Sequence, residues 1–393
     1  MSLQYFVRRW CHSSQSGEGS VAWRRYAWAH GARKGQRGMS LVEVLVAVAI
    51  GLIGMLVITQ AYITSDKFNR ATVGENSAQT NGTIALFTVE RDLRMAGYGM
   101  ANTAAFGCGK LNWYYDPDYS QNLGGSLPDI VLAPVYITVT PGQPDQITTM
   151  YSTSARIVPG TLSKTMPAAS SEYDVDGTVG YKQQDLVVLV NQAGPVSCTM
   201  AQITHVQPSA AKVQHNPGIN APYNPPGAGL FPAYKQGDLV FDLGNPRVRT
   251  YGIVNGRLRV SDTLLVAGGT APYDIADGVV DLRAEYGKDN GVDNGTVKNT
   301  SFIANDGIID GFDNVAPASA AEWAQVLAIR VAVLARIGEY DRPVGGVCTA
   351  TTVAPTWAAG TRSFAVPEGL PSCYRYRVFE TVVPLRNLIW RMT

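Results

Sequence analysis

Apolar residues are distributed unevenly along this 393-residue chain, and their spacing predicts its main elements. Residues 39–63 form one almost continuous apolar run with a single charge, Glu43, and the run is long enough to span a bilayer as a helix. Residues 83–96 then show helical periodicity, which predicts an amphipathic second part. Its apolar side consists of Leu86, Val89, Leu93 and Ala96. The pattern thus predicts one long N-terminal helix over about 40–96, with 39–63 as its membrane-spanning part and 64–97 as its amphipathic part.

Beyond this helix, residues 98–393 alternate short β-type runs with turn clusters, which predicts a β-rich head domain. The shorter predicted strands are 129–140, 146–152, 185–191, 201–206, 239–242, 248–254 and 257–262. Two longer runs, 326–337 and 374–383, are rich in β-branched residues and are predicted to be antiparallel core strands rather than helices.

Local signals add three expectations for the head. Asn255-Gly256, between two apolar-alternating runs, predicts a hairpin turn. Ser319 and Glu322 have the spacing of a capping box, which predicts the start of a short helix. The proline-rich tract 208–232 is predicted to be a surface loop.

Charge is segregated even though the whole chain has a net charge of only +1. Residues 1–38 carry seven basic side chains and one acid, a net +6, which leaves −5 for the remainder. A basic flank before an apolar span is typical of a cytoplasmic N-terminus. The remainder has no basic field for nucleic acid, and 46% hydrophobic residues exclude a disordered chain.

The junction between these two segments carries the clearest motif. Basic residues and Gly38 are followed by Met39, an apolar run, and Glu43 at the fifth position after Gly38. A carboxylate inside an apolar span costs roughly 2.5–3.5 kcal/mol, so it requires a partner, and cleavage after Gly38 would create an α-amine one helical turn away. This pattern resembles the class III signal of type IV pilins. The resemblance implies that a prepilin peptidase removes residues 1–38 as a leader, that Met39 is then methylated, and that Glu43 forms the assembly salt bridge.

Three C-terminal segments look like the PilW group of minor pilins: 277–287, Trp323 with 329–336, and 376–387. This second resemblance implies an α+β, pilin-like lollipop, in which the long N-terminal helix packs on an antiparallel, disulfide-bearing head. It implies an inner-membrane protein of a Gram-negative bacterium, with one span and a periplasmic head that becomes extracellular in the pilus.

The function implied is that of a structural subunit, not an enzyme, which primes or caps type IV pilus assembly in a tip complex. The implied partners are the prepilin peptidase, other minor pilins and the major pilin, the assembly platform, the inner membrane and a tip adhesin. Within the superfamily, a J-like pseudopilin of type II secretion is the alternative. A membrane-tethered periplasmic binding protein or enzyme is a further alternative from another class.

Four cysteines, Cys108, Cys198, Cys348 and Cys373, remain after the leader, as expected of an exported protein with disulfides. Three pairings are possible. Proximity favours Cys348 with Cys373, which is similar to the disulfide loop of pilins, and this leaves Cys108 with Cys198. A cysteine metal site is disfavoured because no C-x-x-C motif is present.

Two glycine-rich segments, 289–295 and 305–313, contain aspartates but do not fit the EF-hand pattern. We expect ordinary Asx turns there, with a calcium loop formed by Asp289, Asp293, Asp306 and Asp310 as the alternative. No cofactor is expected apart from this cation. The sequence also lacks the G-x-S-x-G, H-E-x-x-H, Walker and G-x-G-x-x-G motifs of common enzyme classes. The aromatic residues at 113–115 and 374–376 favour core packing over sugar or protein binding.

Overall fold

The computed structural model of the chain describes residues 38–100, 106, 108, 111–116, 129–192, 197–226, 232–264, 271–297, 301–341, 343, 345–348, 350–365 and 370–389. The chain divides into two compact units, Met1–Thr64 and Ser65–Thr393. The predicted leader, up to residue 37, lies outside the described residues.

The described part of the first unit is the start of helix α1 (Leu41–Met95). Residues 38–40 are not helical, and every side chain from Gly38 to Thr64 is exposed. The helix contains a window with a mean hydropathy of 2.8, and it is long and apolar enough to cross a membrane. The predicted helix over 40–96 therefore agrees with the structure to within one residue at each end.

The second unit contains the rest of α1 and the β-rich part of the chain. Two further helices are short, α2 (Ala320–Ala324) and α3 (Arg386–Ile389). The strands are β1 (Leu111–Asn112), β2 (Val135–Thr138), β3 (Gln146–Tyr151), β4 (Gly160–Thr161), β5 (Glu172–Asp174), β6 (Leu186–Val190), β7 (Cys198–Gln202), β8 (His205–Gln207), β9 (Lys212–Gln214), β10 (Leu239–Gly244), β11 (Arg247–Val254), β12 (Arg257–Asp262), β13 (Tyr273–Asp277), β14 (Val279–Lys288), β15 (Gly311–Asp313), β16 (Val326–Tyr340), β17 (Thr356–Trp357), β18 (Arg362–Ser363) and β19 (Tyr374–Pro384).

Within the described residues these strands form three larger sheets and two small ones. The larger sheets have the orders β1-β7-β6-β10-β4, β13-β12-β11-β3-β2 and β15-β14-β16-β19. The small ones are β5-β9-β8 and β17-β18. All pairings are antiparallel except that of β1 with β7. The predicted antiparallel, β-rich head is therefore confirmed.

The second part of α1 packs on the main core through a stripe of small and apolar residues. Ala78, Gly82, Ala85, Val89 and Leu93 are buried at intervals of three and four residues. Burying a side chain such as Val89 or Leu93 contributes roughly 1.5–3 kcal/mol. The predicted apolar side is confirmed, because Val89, Leu93 and Ala96 belong to the main core and the half-buried Leu86 packs against it. The stripe also extends to smaller residues before Leu86, of which Gly82 closely approaches the Phe379 ring.

Of the two long C-terminal strands, β16 lies inside the third sheet and β19 lies at its edge. β16 pairs with β14 on one side and with β19 on the other. Both strands were predicted from their β-branched residues. The hairpin is also confirmed, because β11 and β12 pair through Val254↔Arg257, with Asn255 and Gly256 at φ angles of 52° and 71°. Ser319 caps α2 as predicted, its side chain accepting a hydrogen bond from the Glu322 amide.

Two strand predictions and the surface loop need correction. The predicted strand 129–140 is ordered as β2 only over Val135–Thr138, and the predicted strand 201–206 is divided between β7 and β8. The proline-rich tract is not a surface loop throughout. It contains β9, and Tyr223 and Asn224 in it are buried, because the Asn224 side chain accepts from the Gln202 amide and donates to the Gln202 carbonyl.

Candidate functional site

The predicted processing junction lies immediately before the first turn of α1. Gly38, Met39 and Ser40 are exposed and non-helical, and the Met39 side chain keeps 67% of its surface accessible. The Glu43 amide lies 3.2 Å from the Ser40 hydroxyl oxygen, so Ser40 acts as the N-cap of the helix. The Gly38–Met39 peptide bond is therefore in irregular, accessible backbone, a conformation that a protease can bind.

Glu43 occupies the first turn of α1, where the amides at the helix start favour a negative charge. Its side chain is exposed and is surrounded in sequence by exposed apolar residues, including Leu41, Val44 and Leu45. Among the described residues, no lysine or arginine forms a salt bridge with it. A carboxylate so placed is available to a cation from outside this chain, or to an amine created by cleavage at Met39.

The four predicted cysteines form two disulfide bonds in the second unit. Cys108 pairs with Cys198, the first residue of β7, at a Cα–Cα distance of 5.8 Å. Cys348 pairs with Cys373 at a Cα–Cα distance of 4.7 Å, directly before β19. The predicted pairing thus has the same partners in the structure.

The loop closed by Cys348–Cys373 covers the outer face of the third sheet. Trp357 of β17 and Phe364, which directly follows β18, pack in one buried cluster with Ala332 and Leu334 of β16. The loop is also fixed by polar contacts, because the Ala358 amide donates to the Glu380 carboxylate at 2.7 Å. The disulfide therefore holds down a cover over otherwise apolar strand residues.

The four aspartates of the predicted calcium loop are not gathered into one site. Asp293 and Asp306 are exposed, and each accepts a hydrogen bond from the amide two residues later, as in the expected Asx turns. Asp289 and Asp310 are fully buried. In the part of the chain that the structure describes, no three His, Cys, Asp or Glu side chains are placed to share a metal ion. The predicted four-carboxylate ligand set is therefore wrong, because two of its members are bound to their own loops.

Asp92 is an important residue that sequence reasoning missed. It is buried in the helix stripe, where its carboxylate accepts from the Tyr251 hydroxyl at 2.6 Å and from Arg249 at 3.0 Å. Arg249 also contacts Asp262 at 3.0 Å, so α1 is joined to β11 and β12 by one charged network. Burial, and then the contact with Asp92, raises the pKa of the Tyr251 hydroxyl. The available signal was a single acid on the apolar side of the helix, three residues after Val89.

Asn387 is a second important residue that no sequence pattern pointed to. Its side-chain amide donates to the carbonyls of Arg94, Met95 and Ala96, at 3.3, 3.3 and 3.0 Å. These carbonyls lie at the end of α1, where backbone acceptors lack partners within the helix. A residue near the C-terminus of the chain thus caps the N-terminal helix, a contact that follows only from the fold.

Comparisons with known proteins match the two ends of the chain. Residues 253–387 match the family model described as type IV pilus-assembly protein W, and residues 33–59 match the prokaryotic N-terminal methylation motif. Among solved structures, the type IV-like pilin TTHA1219 from Thermus thermophilus is 21% identical over 37% of this chain and 69% of that chain, with a TM-score of 0.20. No curated protein matches.

The two family matches confirm both resemblances drawn from the sequence, to prepilins at the N-terminus and to the PilW group at the C-terminus. The methylation motif contains Gly38, Met39, Glu43 and the start of the apolar helix. The PilW region runs from the end of β11 to α3 and includes the whole third sheet. The family model that matches the C-terminal region describes a pilus-assembly protein rather than an enzyme. The methylation motif together with the apolar helix indicates anchoring in a membrane.

Proposed function

Because this chain carries both the prepilin methylation motif and the PilW region of type IV pilus assembly, we propose that it is a minor pilin that primes or caps the pilus. The co-occurrence of these two regions in one chain is the observation that carries the proposal. We place the chain in the inner membrane, with 39–63 as its span and 98–393 as a periplasmic head. Its proposed neighbours are the major pilin, other minor pilins and the assembly platform.

Processing would begin at the Gly38–Met39 bond. Hydrolysis by a prepilin peptidase adds water across this bond, so Gly38 leaves with the leader as a carboxylate and Met39 gains a free α-amine. The junction supports this step because it is exposed and lies outside the helix. Methylation of the amine transfers one methyl group from a donor and leaves the nitrogen basic, so that its positive charge is retained.

The Glu43 carboxylate would then guide the subunit into the growing filament. An unpaired carboxylate in an apolar environment costs roughly 2.5–3.5 kcal/mol, and pairing with a methylated amine of a neighbouring subunit offsets this cost. The pairing fixes the axial position of one helix against the next. The exposed apolar residues from Leu41 to Ile58 supply the remaining helix contacts.

A comparison of two helix variants in the native cells tests this role. Glu43→Leu removes the charge, whereas the control Gln60→Leu makes another polar residue of the same helix apolar. We expect both variants to be cleaved after Gly38. We expect Glu43→Leu to fall about tenfold or more in sheared filaments, since a loss of 1.4 kcal/mol already corresponds to tenfold. The Gln60→Leu variant should match the natural chain.

Mass spectrometry of the N-terminal peptide supplies the readout. N-methylated Met39 in the sheared fraction would support a pilus subunit. The same peptide only in membranes would leave the priming role open, together with a secretion pseudopilin of the J type. Residues 1–38 still attached to the functional protein, or equal incorporation of Glu43→Leu, would contradict the proposal.

A further inference from the structure

Among the described residues, the outer edge of β19 is the longest strand edge without a partner strand. β19 contains 11 residues and is the last strand of the third sheet, with β16 on one side only. The other edge strands of the three larger sheets, β1, β4, β2, β13 and β15, contain two to five residues. Short edges limit pairing with a foreign strand, whereas a long, regular edge favours it.

The register of β19 shows which of its backbone groups point outward. The Leu385 amide donates to the Leu327 carbonyl, and the pairing with β16 then continues without a shift from Pro384 to Tyr376. Because backbone groups of antiparallel strands turn to the same partner at every second residue, the odd-numbered residues of β19 bond β16 here. The even-numbered residues point away from β16. Pro384, which has no amide hydrogen, lies at one of these outward positions.

Three outward amides, those of Val378, Glu380 and Val382, have no hydrogen-bond partner in the part of the chain that the structure describes. The edge is closed at one end, where the Thr351 hydroxyl donates to the Tyr374 carbonyl, and at the other end by the proline. Between these ends the edge lacks the lysine, proline or bulge that normally protects an edge strand. It is therefore a bounded site for one short strand.

The side chains beside this edge favour an extended partner with apolar residues. Val382 is 46% exposed, and Val378 packs against the apolar cluster beneath the disulfide-closed loop. On the opposite face of the sheet, Phe379 is half-buried beside α1. Glu380, the single charge in this stretch, is already bound to a backbone amide of the loop. Side chains of an added strand would alternate between the two faces and extend both apolar surfaces.

We propose that an extended segment of a different chain pairs with β19 over Val378–Val382 and adds a fifth strand to the four of the third sheet. Main-chain hydrogen bonds supply the contacts, and alternate side chains supply specificity. The occupant is another subunit of the pilus, a choice that rests on the proposed function. A second copy of this chain fits less well. The antiparallel register that uses all three amides would place Glu380 opposite its own copy, and directly opposed like charges are destabilising.

Amide hydrogen exchange, read by mass spectrometry at single residues, tests this pairing in the full-length protein. Exchange is compared between dilute protein purified in detergent and an assembled fraction, which consists of native membranes and sheared filaments. In the purified protein, we expect the Val378, Glu380 and Val382 amides to exchange about tenfold faster than those of Phe379 and Thr381. In the assembled fraction, the three outward amides should slow about tenfold, whereas the other two should change little. A partner that covered only a face of the sheet would not produce this alternation.

Two substitutions at one outward position separate backbone pairing from side-chain contact. Val382→Pro removes an outward amide and none that bonds β16, and Pro384 shows that this strand accepts proline at such a position. Val382→Thr keeps the amide and the branched shape, and it is the matched control. In the assembled fraction, we expect Val382→Pro to lose the slow exchange of Val378 and Glu380, and Val382→Thr to keep it.

Slow exchange of the outward amides in the purified protein would overturn the proposal. If it did not depend on concentration, this chain would cover its own edge, and if it rose with concentration, the occupant would be a second copy. Fast exchange in the assembled fraction, equal slowing of all five amides, or slow exchange retained in Val382→Pro would also overturn it. If Val382→Pro does not fold, the exchange pattern of the natural protein still decides the question. The state of the Met39 amine tests the proposed function separately.

Discussion

Asp185 shows how a single carboxyl group can oppose folding in this protein. It precedes β6, and its carboxylate accepts from the Lys182 amide at 3.0 Å. The end of β10 lies opposite, where Asp242 is buried and bound to Ser154 at 2.6 Å. Burial, and then the charge of Asp242, raises the pKa of Asp185 to about 6. The folded state therefore binds the Asp185 proton more tightly than the unfolded state does.

The sign of this shift gives a pH-dependent prediction. The ionised Asp185 destabilises the fold fully above about pH 6, and the penalty disappears below its ordinary pKa of 3.8. Asp185→Asn is neutral at every pH and can accept the same hydrogen bond. We expect it to raise the free energy of unfolding by about 1 kcal/mol at pH 7.5, after allowance for solvent screening of a half-buried group, and to have no effect at pH 3.5.

Urea unfolding at the two pH values measures the difference. Asp277→Asn is the control, because its side chain is 72% exposed and its ion pair with Arg257 lies on the surface. Exposed pairs contribute little, so the control should change little at either pH. An equal gain at pH 3.5 and 7.5 for Asp185→Asn would show that the charge of Asp185 is not the cause.

At the scale of elements, the fit of α1 to the third sheet depends on one glycine. A Cβ atom at Gly82 would lie inside van der Waals contact with the Phe379 ring of β19. Gly82→Ala gains about 1 kcal/mol of helix propensity, but overpacking a buried contact costs about 1–3 kcal/mol. We expect a net loss of about 1 kcal/mol in the free energy of unfolding.

A double-mutant cycle identifies the cause of that loss. Phe379→Leu replaces the ring that the new methyl group would meet with a smaller side chain. Gly82→Ala in this background should therefore be neutral or stabilising. Chemical denaturation of the four forms gives the coupling energy. Equal effects of Gly82→Ala in the two backgrounds would mean that the helix and β19 do not meet at this point.

Elements of this chain could be predicted from sequence where their pattern is long and local. The apolar run after Met39 and the β-branched runs of β16 and β19 needed no knowledge of their partners. The short strands β4, β5 and β9 carry two or three residues each, and the pairings of β4 with β10 and of β5 with β9 join strands that are distant in sequence. Strands of that length have no period of their own, so only the tertiary fold defines them.

The candidate sites divide in the same way. Gly38 and Glu43 could be recognised from sequence because both belong to one short, contiguous motif. Asp289 and Asp310 could be named from sequence, but not separated from Asp293 and Asp306, because burial distinguishes them and composition does not. Sequence gave no reason to connect Asn387 with the end of α1, since 291 to 293 residues separate the atoms that bond.

At the scale of the whole molecule, the Cys348–Cys373 disulfide governs how well the third sheet is covered. The closed loop spans 25 residues, and a cross-link of that size contributes about 3 kcal/mol in the chain-entropy model. Arg362, within the loop, contacts the buried Glu285 carboxylate at 2.9 Å. Opening the loop should free Trp357 and Phe364 from β16 and release Arg362 from this ion pair.

Limited trypsin digestion with mass spectrometry measures this release at one bond. In the double variant Cys348→Ser/Cys373→Ser, we expect cleavage after Arg362 to become at least tenfold faster. Without the disulfide, the free energy needed to open this loop locally is smaller. Cleavage after Arg257, in the second sheet, should keep its natural rate. If cleavage after Arg362 and Arg257 accelerates equally, the disulfide stabilises the whole unit rather than the cover. If neither changes, the packing of Trp357 and Phe364 holds the cover without it.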